Sequence, residues 1–283
     1  MSIANHLKTA LFLGLLSALV LAIGFLVGGI PGLTIAFILA ILINFLSFFF
    51  SHKLILLIYR AKEASKSQYS QLHSIVEEIA KSANIPKPKV YIIPSEAPNA
   101  FATGPSYKQG VVAVTKGILE LLSKEELKGV IAHEIGHIKN RDILIQTIAS
   151  TIALAISYLS SIALYTTMGG DDDNRGGSII GLILIWILAP IAAMLIQMAI
   201  SRAREFIADE TSARLIKNPL PLASALLKLE SESKNKPLRL GTEATNSLFI
   251  VNPFRGTGRS FAGLFLTHPS TADRVARLKS LKI

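Results

Sequence analysis

His133-Glu134-Ile135-Gly136-His137 places two imidazoles and a carboxylate within five residues. Upstream, Ser123-Lys124-Glu125-Glu126 has the pattern of a capping box, where the Ser123 hydroxyl and the Glu126 carboxylate satisfy exposed amides at a helix start. The pattern predicts a helix from Lys124 to about Asn140, with His133 and His137 four residues apart on one face. Two imidazole nitrogens so spaced can reach one metal ion at about 2.0–2.1 Å. Glu134, beside the first of them, can take a proton from a water activated at that ion. A five-residue motif also arises by chance. The capped helix and the sparing use of histidine, six in 283 residues, argue against chance here.

A catalytic zinc site has three protein ligands and one open position. After a later apolar run the chain reads Ser201-Arg202-Ala203-Arg204-Glu205-Phe206-Ile207-Ala208-Asp209. If the helix of that run continues, Glu205 and Asp209 share a face. Glu205 is then the expected third ligand, and Asp209 the carboxylate that holds a ligating histidine in its tautomer. The ligand types favour one zinc per chain, although other divalent ions could compete for the same donors. With no cysteine, thiolate sites, disulfides and cysteine nucleophiles are excluded.

The elements that carry these residues are apolar. Hydrophobic residues make up 51% of the chain and charged residues only 17%, below the quarter or so usual in soluble domains. Thr9 to Ile30 is an uncharged run of about 22 residues, long enough to cross a roughly 30 Å hydrocarbon core. Leu33 to about Ser51 follows after a Gly28-Gly29-Ile30-Pro31-Gly32 turn, and Leu54 to Ile58 extends its helix. Ile143 to Met168 and Ile179 to Ile200 are the third and fourth runs. Small polar residues along the third (Ser157, Ser160 and Ser161 among them) suit either packing within a membrane or a protein-covered hairpin. The linker GGDDDNRGGS between these runs reads as a solvated turn, since Asp171, Asp172 and Asp173 do not match a calcium-loop spacing.

Charge sets the expected orientation. The first turn has no Lys or Arg and the second only Arg175, whereas Tyr59 to Asp142 holds twelve and Ser201 to Ile283 fourteen. Both long segments, and Lys8, are therefore expected in the cytoplasm. The expected organisation is a transmembrane hairpin (1–58), a first catalytic part with the zinc helix (59–142), a second hairpin (143–200) and a second catalytic part (201–283). The net charge of +10 fits cytoplasmic loops facing anionic lipid, and no nucleic-acid partner is expected. Glu205 lies five residues beyond the fourth run, about 7.5 Å along a helix. The metal site is thus expected one to two helical turns from the bilayer boundary.

The chain resembles the HtpX-type membrane metalloproteases, which are related more distantly to the CAAX prenyl proteases. The resemblance spans nearly the whole sequence. It rests on the two leading runs, Asn99-Ala-Phe-Ala-Thr-Gly104, the zinc helix, the second apolar hairpin, the Arg-Glu-x-x-Ala-Asp stretch and Thr267-His268-Pro269. It implies zinc bound by His133, His137 and Glu205, with Glu134 as general base in peptide-bond hydrolysis. It also implies that Asn99, Ala100, Phe101 and Ala102 lie on an edge strand that pairs with substrate backbone. From the residues alone, an ordinary core strand is the alternative. His268 is implied to stabilise the oxyanion; read locally it is a helix-start residue before Pro269. Arg274 either orients His268 or faces solvent. His6, His52 and His73 read as structural.

The expected fold is predominantly α: an integral membrane protein with four transmembrane helices and a cytoplasmic zincin-like catalytic domain containing a small β-sheet. Its strands are expected at Lys89–Pro94, Asn99–Thr103 and Val111–Thr115, with an amphipathic helix near Gln68–Asn84. Lys234 to Gly263 reads as a surface loop. The implied function is quality control of membrane proteins at the inner (plasma) membrane, linked to stress, with protein or peptide substrates. The competing readings are a site-specific processing protease, a non-catalytic membrane scaffold with a metal site, and a metal transporter. The last is disfavoured because the apolar runs contain almost no charged or histidine residues.

Overall fold

The computed structural model of the chain describes residues 3–104, 106–168, 176–235, 250 and 269–283. The aspartate-rich turn with Arg175, most of the Lys234–Gly263 linker, and His268 lie outside the described residues. Among the described residues the fold is predominantly α with a small mixed sheet. The chain divides into two compact units.

The first unit comprises Met1–Asn5, Phe49–Leu144 and Ser201–Ile283. Its sheet is built from β1 (Lys62–Glu63), β2 (Lys89–Ile93), β3 (Ala100–Thr103) and β4 (Val111–Thr115) in the order β1-β2-β4-β3. The β2–β4 pair is parallel and the outer pairs are antiparallel. β3 is therefore an edge strand. The three expected strands form; β1 adds a fourth, of two residues, too short to leave a pattern in the sequence.

Helix α2 (Ser70–Ala83) buries Leu72, Ile75, Val76, Ile79 and Ala83, a stripe at helical spacing. Asn84 ends it in the left-handed conformation, with φ of 57°. Thr115 then caps the short α3 (Lys116–Leu121) by accepting from the Ile118 amide at 3.2 Å.

Helix α4 (Lys124–Lys139) starts at the expected capping box: Ser123 Oγ accepts from the Glu126 amide, and Glu126 accepts from the Ser123 amide at 2.9 Å. Glu126 also receives Ser224 Oγ and Lys228 Nζ from α7 (Leu220–Asn235), at 2.7 and 2.8 Å. Burial pushes the Glu126 pKa up, but the bonds from Lys228, Ser224 and Ser123 outweigh it and hold the pKa at about 2. Position 129 must be glycine for α7 to approach this closely, because a Cβ there would lie 2.7 Å from the Leu222 amide nitrogen. Gly136 does the same on the other side: a Cβ would stand 3.3 Å from Ala208 O and Thr211 Cβ of α6 (Gly176–Ile216). That close packing brings α6 alongside the histidine helix.

The second unit comprises His6–Phe48 and Ile145–Ile200. Helix α1 (Ile3–Ile58) breaks at Gly28 and Gly29, the latter at φ 58° and ψ −141°, a conformation open to glycine. The break is shorter than the five-residue turn expected, since Ile30, Pro31 and Gly32 are helical. Val20 and Ile23 of α1 pack with Ala149, Ile152, Ala153 and Ile156 of α5 (Asp142–Met168) and Ala189 and Ala193 of α6. Alanines at these contacts let apolar helices approach closely without a water-driven core. The hydroxyls of Ser157, Ser160 and Ser161 donate to carbonyls four residues back, so they are satisfied within α5. Among the described residues one helix, Ile183–Ile216, is long and apolar enough to cross a membrane. Only 22% of its apolar window is buried, so most of that surface needs an apolar solvent.

Candidate metal centre

Helix α4 stacks His133 and His137 one turn apart, with ring centroids 4.6 Å apart and planes nearly perpendicular. Their Nε2 atoms face one another at 3.0 Å. Glu205, from α6, closes the triangle: its Oε2 lies 3.6 Å from His133 Nε2 and its Oε1 3.4 Å from His137 Nε2. A tetrahedral ion with bonds of about 2.0–2.1 Å needs ligand atoms roughly 3.3–3.4 Å apart. One donor atom from each of the three residues lies within 4.8 Å of the others, close enough for all three to converge on one such ion.

The other ring nitrogens are engaged. His133 Nδ1 lies 2.9 Å from Asp209 Oδ1, and His137 Nδ1 lies 2.8 Å from Asp142 Oδ2. An Nδ1–H donated to a carboxylate leaves the Nε2 lone pair facing inward. Two such lone pairs at 3.0 Å repel unless a cation or proton sits beside them. Each aspartate is in turn held by an arginine. Arg274 of α8 (Thr271–Ser280) forks onto Asp209, and Arg204 of α6 pairs with Asp142 and donates to Asn140 O at 2.9 Å.

Charge supports the same fit. Glu134, Asp142, Glu205 and Asp209 face Arg204 and Arg274, and all six are at most 2% exposed. Carboxylates outnumber guanidiniums in this buried cluster, an acidic excess that suits a divalent cation. The residues therefore fit zinc.

The histidines feel this field differently. Burial and the neighbouring His137 lower the pKa of His133, against the pull of Asp209. Burial also disfavours a charged His137, yet Asp142 and Glu205 outweigh it and raise its pKa well above the usual value.

Glu134 points to the side of α4 that faces β3. Burial, helped by Glu205, raises its pKa to about 7 against the opposing pull of His137, Arg274 and the Ala102 amide, which donates to it. The outer edge of β3 therefore runs beside this carboxylate. At its start, Asn99 is tied to Thr115 on both backbone groups and accepts the Ala100 amide on Oδ1 at 3.0 Å. Ala100 O accepts the Ile250 amide at 3.4 Å, so the outer edge takes a main-chain donor. Asn99, Ala100, Phe101 and Ala102 are all buried, Phe101 against Tyr59.

Sequence spacing brought out His133, Glu134, His137, Glu205 and Asp209, and the structure gathers all five. It did not bring out Asp142 or Arg204. Arg141, at a left-handed φ of 57°, bends the chain between α4 and α5, and Asp142 stands against His137. Arg204 adjoins Glu205 in the chain, the one local hint available. Arg274 is buried against Asp209 and Glu205, not turned to solvent; the other sequence-based option, that it orients His268, falls on a residue outside the described ones. His73 is structural, its Nε2 lying 3.0 Å from Ala64 O.

The sequence profile of Peptidase family M48 matches residues 66–282, more than half of the chain. A protease HtpX homologue of Pyrococcus abyssi (strain GE5 / Orsay) is 50% identical over 285 residues, covering 100% of this chain and 98% of that protein. One from Pyrococcus furiosus is 50% identical over 283 residues, covering 99% and 97%. The crystal structure of S. mikatae Ste24p superposes with a TM-score of 0.59 at 20% identity, over 98% of this chain and 66% of that one, and shares the fold. With the histidine–histidine–glutamate cluster already assembled on α4 and α6, these likenesses show that the chain belongs to peptidase family M48, among its HtpX-type members, and is a membrane-associated zinc metalloendopeptidase.

Proposed function

We propose that the enzyme cleaves misfolded or damaged membrane proteins at the cytoplasmic face of the inner (plasma) membrane. In this reading four transmembrane helices form two hairpins, 1–58 and 143–200, and 59–142 and 201–283 form the catalytic domain. The observation that carries the reading is the triangle of His133, His137 and Glu205, with Glu134 between it and the edge of β3. Zinc held there supplies Lewis acidity, lowering the pKa of a water towards about 7 and polarising the scissile carbonyl. Glu134 takes the proton of the attacking water and passes it to the leaving amine. Asp209 keeps His133 in the ligating tautomer. Asn99 to Ala102 bind the substrate as an added strand that takes the place of the Ile250 amide on Ala100 O, with main-chain bonds giving affinity independent of sequence. His268 donates to the developing oxyanion.

The membrane setting is supported by chain continuity. Helix α5 starts at Asp142, and α6 carries Glu205 on the same helix as its apolar stretch. Spin labels at Lys139 and Arg202 in reconstituted bilayers are expected to report interfacial positions; deep aqueous exposure of both would contradict the placement.

The function itself is tested in proteoliposomes with a membrane-protein reporter and a destabilised variant sharing its cleavage sites. The destabilised form is expected to be cut at least ~10-fold faster, since an edge strand reads only extended backbone. Equal rates, or cleavage at one sequence-defined site regardless of stability, would favour a processing protease instead.

A further inference from the structure

One guanidinium, far from the ligands in sequence, touches His133, Glu205 and Asp209 at once. Arg274 Nε donates to Asp209 Oδ2 at 2.9 Å and Nη2 to Asp209 Oδ1 at 2.6 Å, a two-pronged grip on one carboxylate. Its Nη1 lies 3.2 Å from Glu205 Oε2 and donates to Ile250 O at 2.9 Å. Its Nη2 lies 3.4 Å from His133 Nε2 and 3.5 Å from His133 Nδ1, so the guanidinium touches the ligating ring itself. The side chain is 2% exposed.

We infer that Arg274 is a positioning residue of the zinc site, through which the C-terminal helix α8 completes the coordination geometry. Asp209 alone has two oxygens and a free torsion. The fork fixes both oxygens, so Oδ1 can only stand at His133 Nδ1. The same cation stands 3.2 Å from Glu205 Oε2, the oxygen that also faces His133, and so holds the glutamate and the histidine side by side. Through Ile250, whose amide reaches Ala100 O, it also ties this arm to the edge of β3. A positive charge beside a dication site opposes metal binding by simple repulsion. The geometric role therefore predicts the reverse of the electrostatic one: removing Arg274 weakens zinc.

Arg274→Lys separates the two, because lysine keeps the charge and loses the fork. The readouts are zinc affinity by competition with a chromophoric chelator and the visible spectrum of the cobalt-substituted protein. Arg277→Ala is the control. Arg277 lies on the same helix and stacks on Phe206 of α6 at 4.8 Å without touching the centre. Zinc affinity is expected to fall about 10–100-fold in Arg274→Lys and Arg274→Gln, the range for residues that orient ligands. The cobalt bands shift, the metal-free protein keeps most of its stability in Arg274→Lys, which retains the buried charge, and millimolar guanidinium partly restores affinity in Arg274→Ala. Arg277→Ala stays within about twofold of wild type.

Wild-type affinity and cobalt bands in Arg274→Lys and Arg274→Gln would overturn the assignment. So would an equal loss in Arg277→Ala, which would point to helix docking alone, or failure of Arg274→Lys to fold without metal. The inference rests on zinc at His133, His137 and Glu205. A wild-type protein that binds no zinc would sink that reading, an outcome distinct from any difference between variants.

Discussion

Glu134→Gln is expected to lower kcat/KM at least about 10³-fold while one zinc per chain remains bound. Glutamine has the same shape, and its amide oxygen can still accept from the Ala102 amide. It has no basic site for the proton of the attacking water. The ligating nitrogens of His133 and His137 are oriented by Asp209 and Asp142, which the substitution does not touch. It also removes a fully buried carboxylate beside Glu205, so stability of the metal-free protein is expected to hold or rise. Zinc content by elemental analysis, thermal unfolding and cleavage of a fluorogenic peptide read the three consequences together. A variant retaining wild-type turnover would remove Glu134 from the reaction.

Glu205→Ala is expected to act at the other step, costing zinc affinity on the order of 10³-fold or more. Two imidazoles would be left where a catalytic zinc has three protein ligands. The loss is expected to exceed the 10–100-fold typical of residues that only orient ligands, and so to exceed that of the Arg274 variants. The substitution also takes from the buried Arg274 one of its two paired carboxylates, so the metal-free protein is expected to lose stability, unlike the Glu134 variant. Chelator competition against wild type reads the first effect and thermal unfolding the second. Unchanged affinity would mean that another group completes the shell.

Local spacing made much of this legible. A capping box and an i, i+4 histidine pair define α4, because both signals repeat within one or two helical turns. Glu205 and Asp209 were legible for the same reason, being one turn apart on a continuing helix. The strands around Ala100 and Val112 showed as short apolar runs between turn residues. The partners of the arginines did not show, because they are tertiary. Arg274 meets Asp209 across 65 positions and Arg204 meets Asp142 across 62, and no local pattern encodes either distance. Asp142 was read only as the end of a segment. The left-handed Arg141 before it is an arginine in a conformation more often taken by glycine or asparagine, which composition does not announce. In α1 a glycine pair was read as a longer turn, since Pro31 after it suggests a loop but fits equally at a helix start.

The central claim is that one zinc on His133, His137 and Glu205 performs peptide hydrolysis with Glu134. The most direct measurement strips detergent-purified protein with a chelator, returns zinc stepwise, and follows casein cleavage beside Glu134→Gln. Cleavage absent without metal, rising to a plateau at one zinc per chain and missing throughout in the variant, is the predicted result. Chelator-resistant cleavage, or a wild-type chain that takes up no zinc, would contradict it.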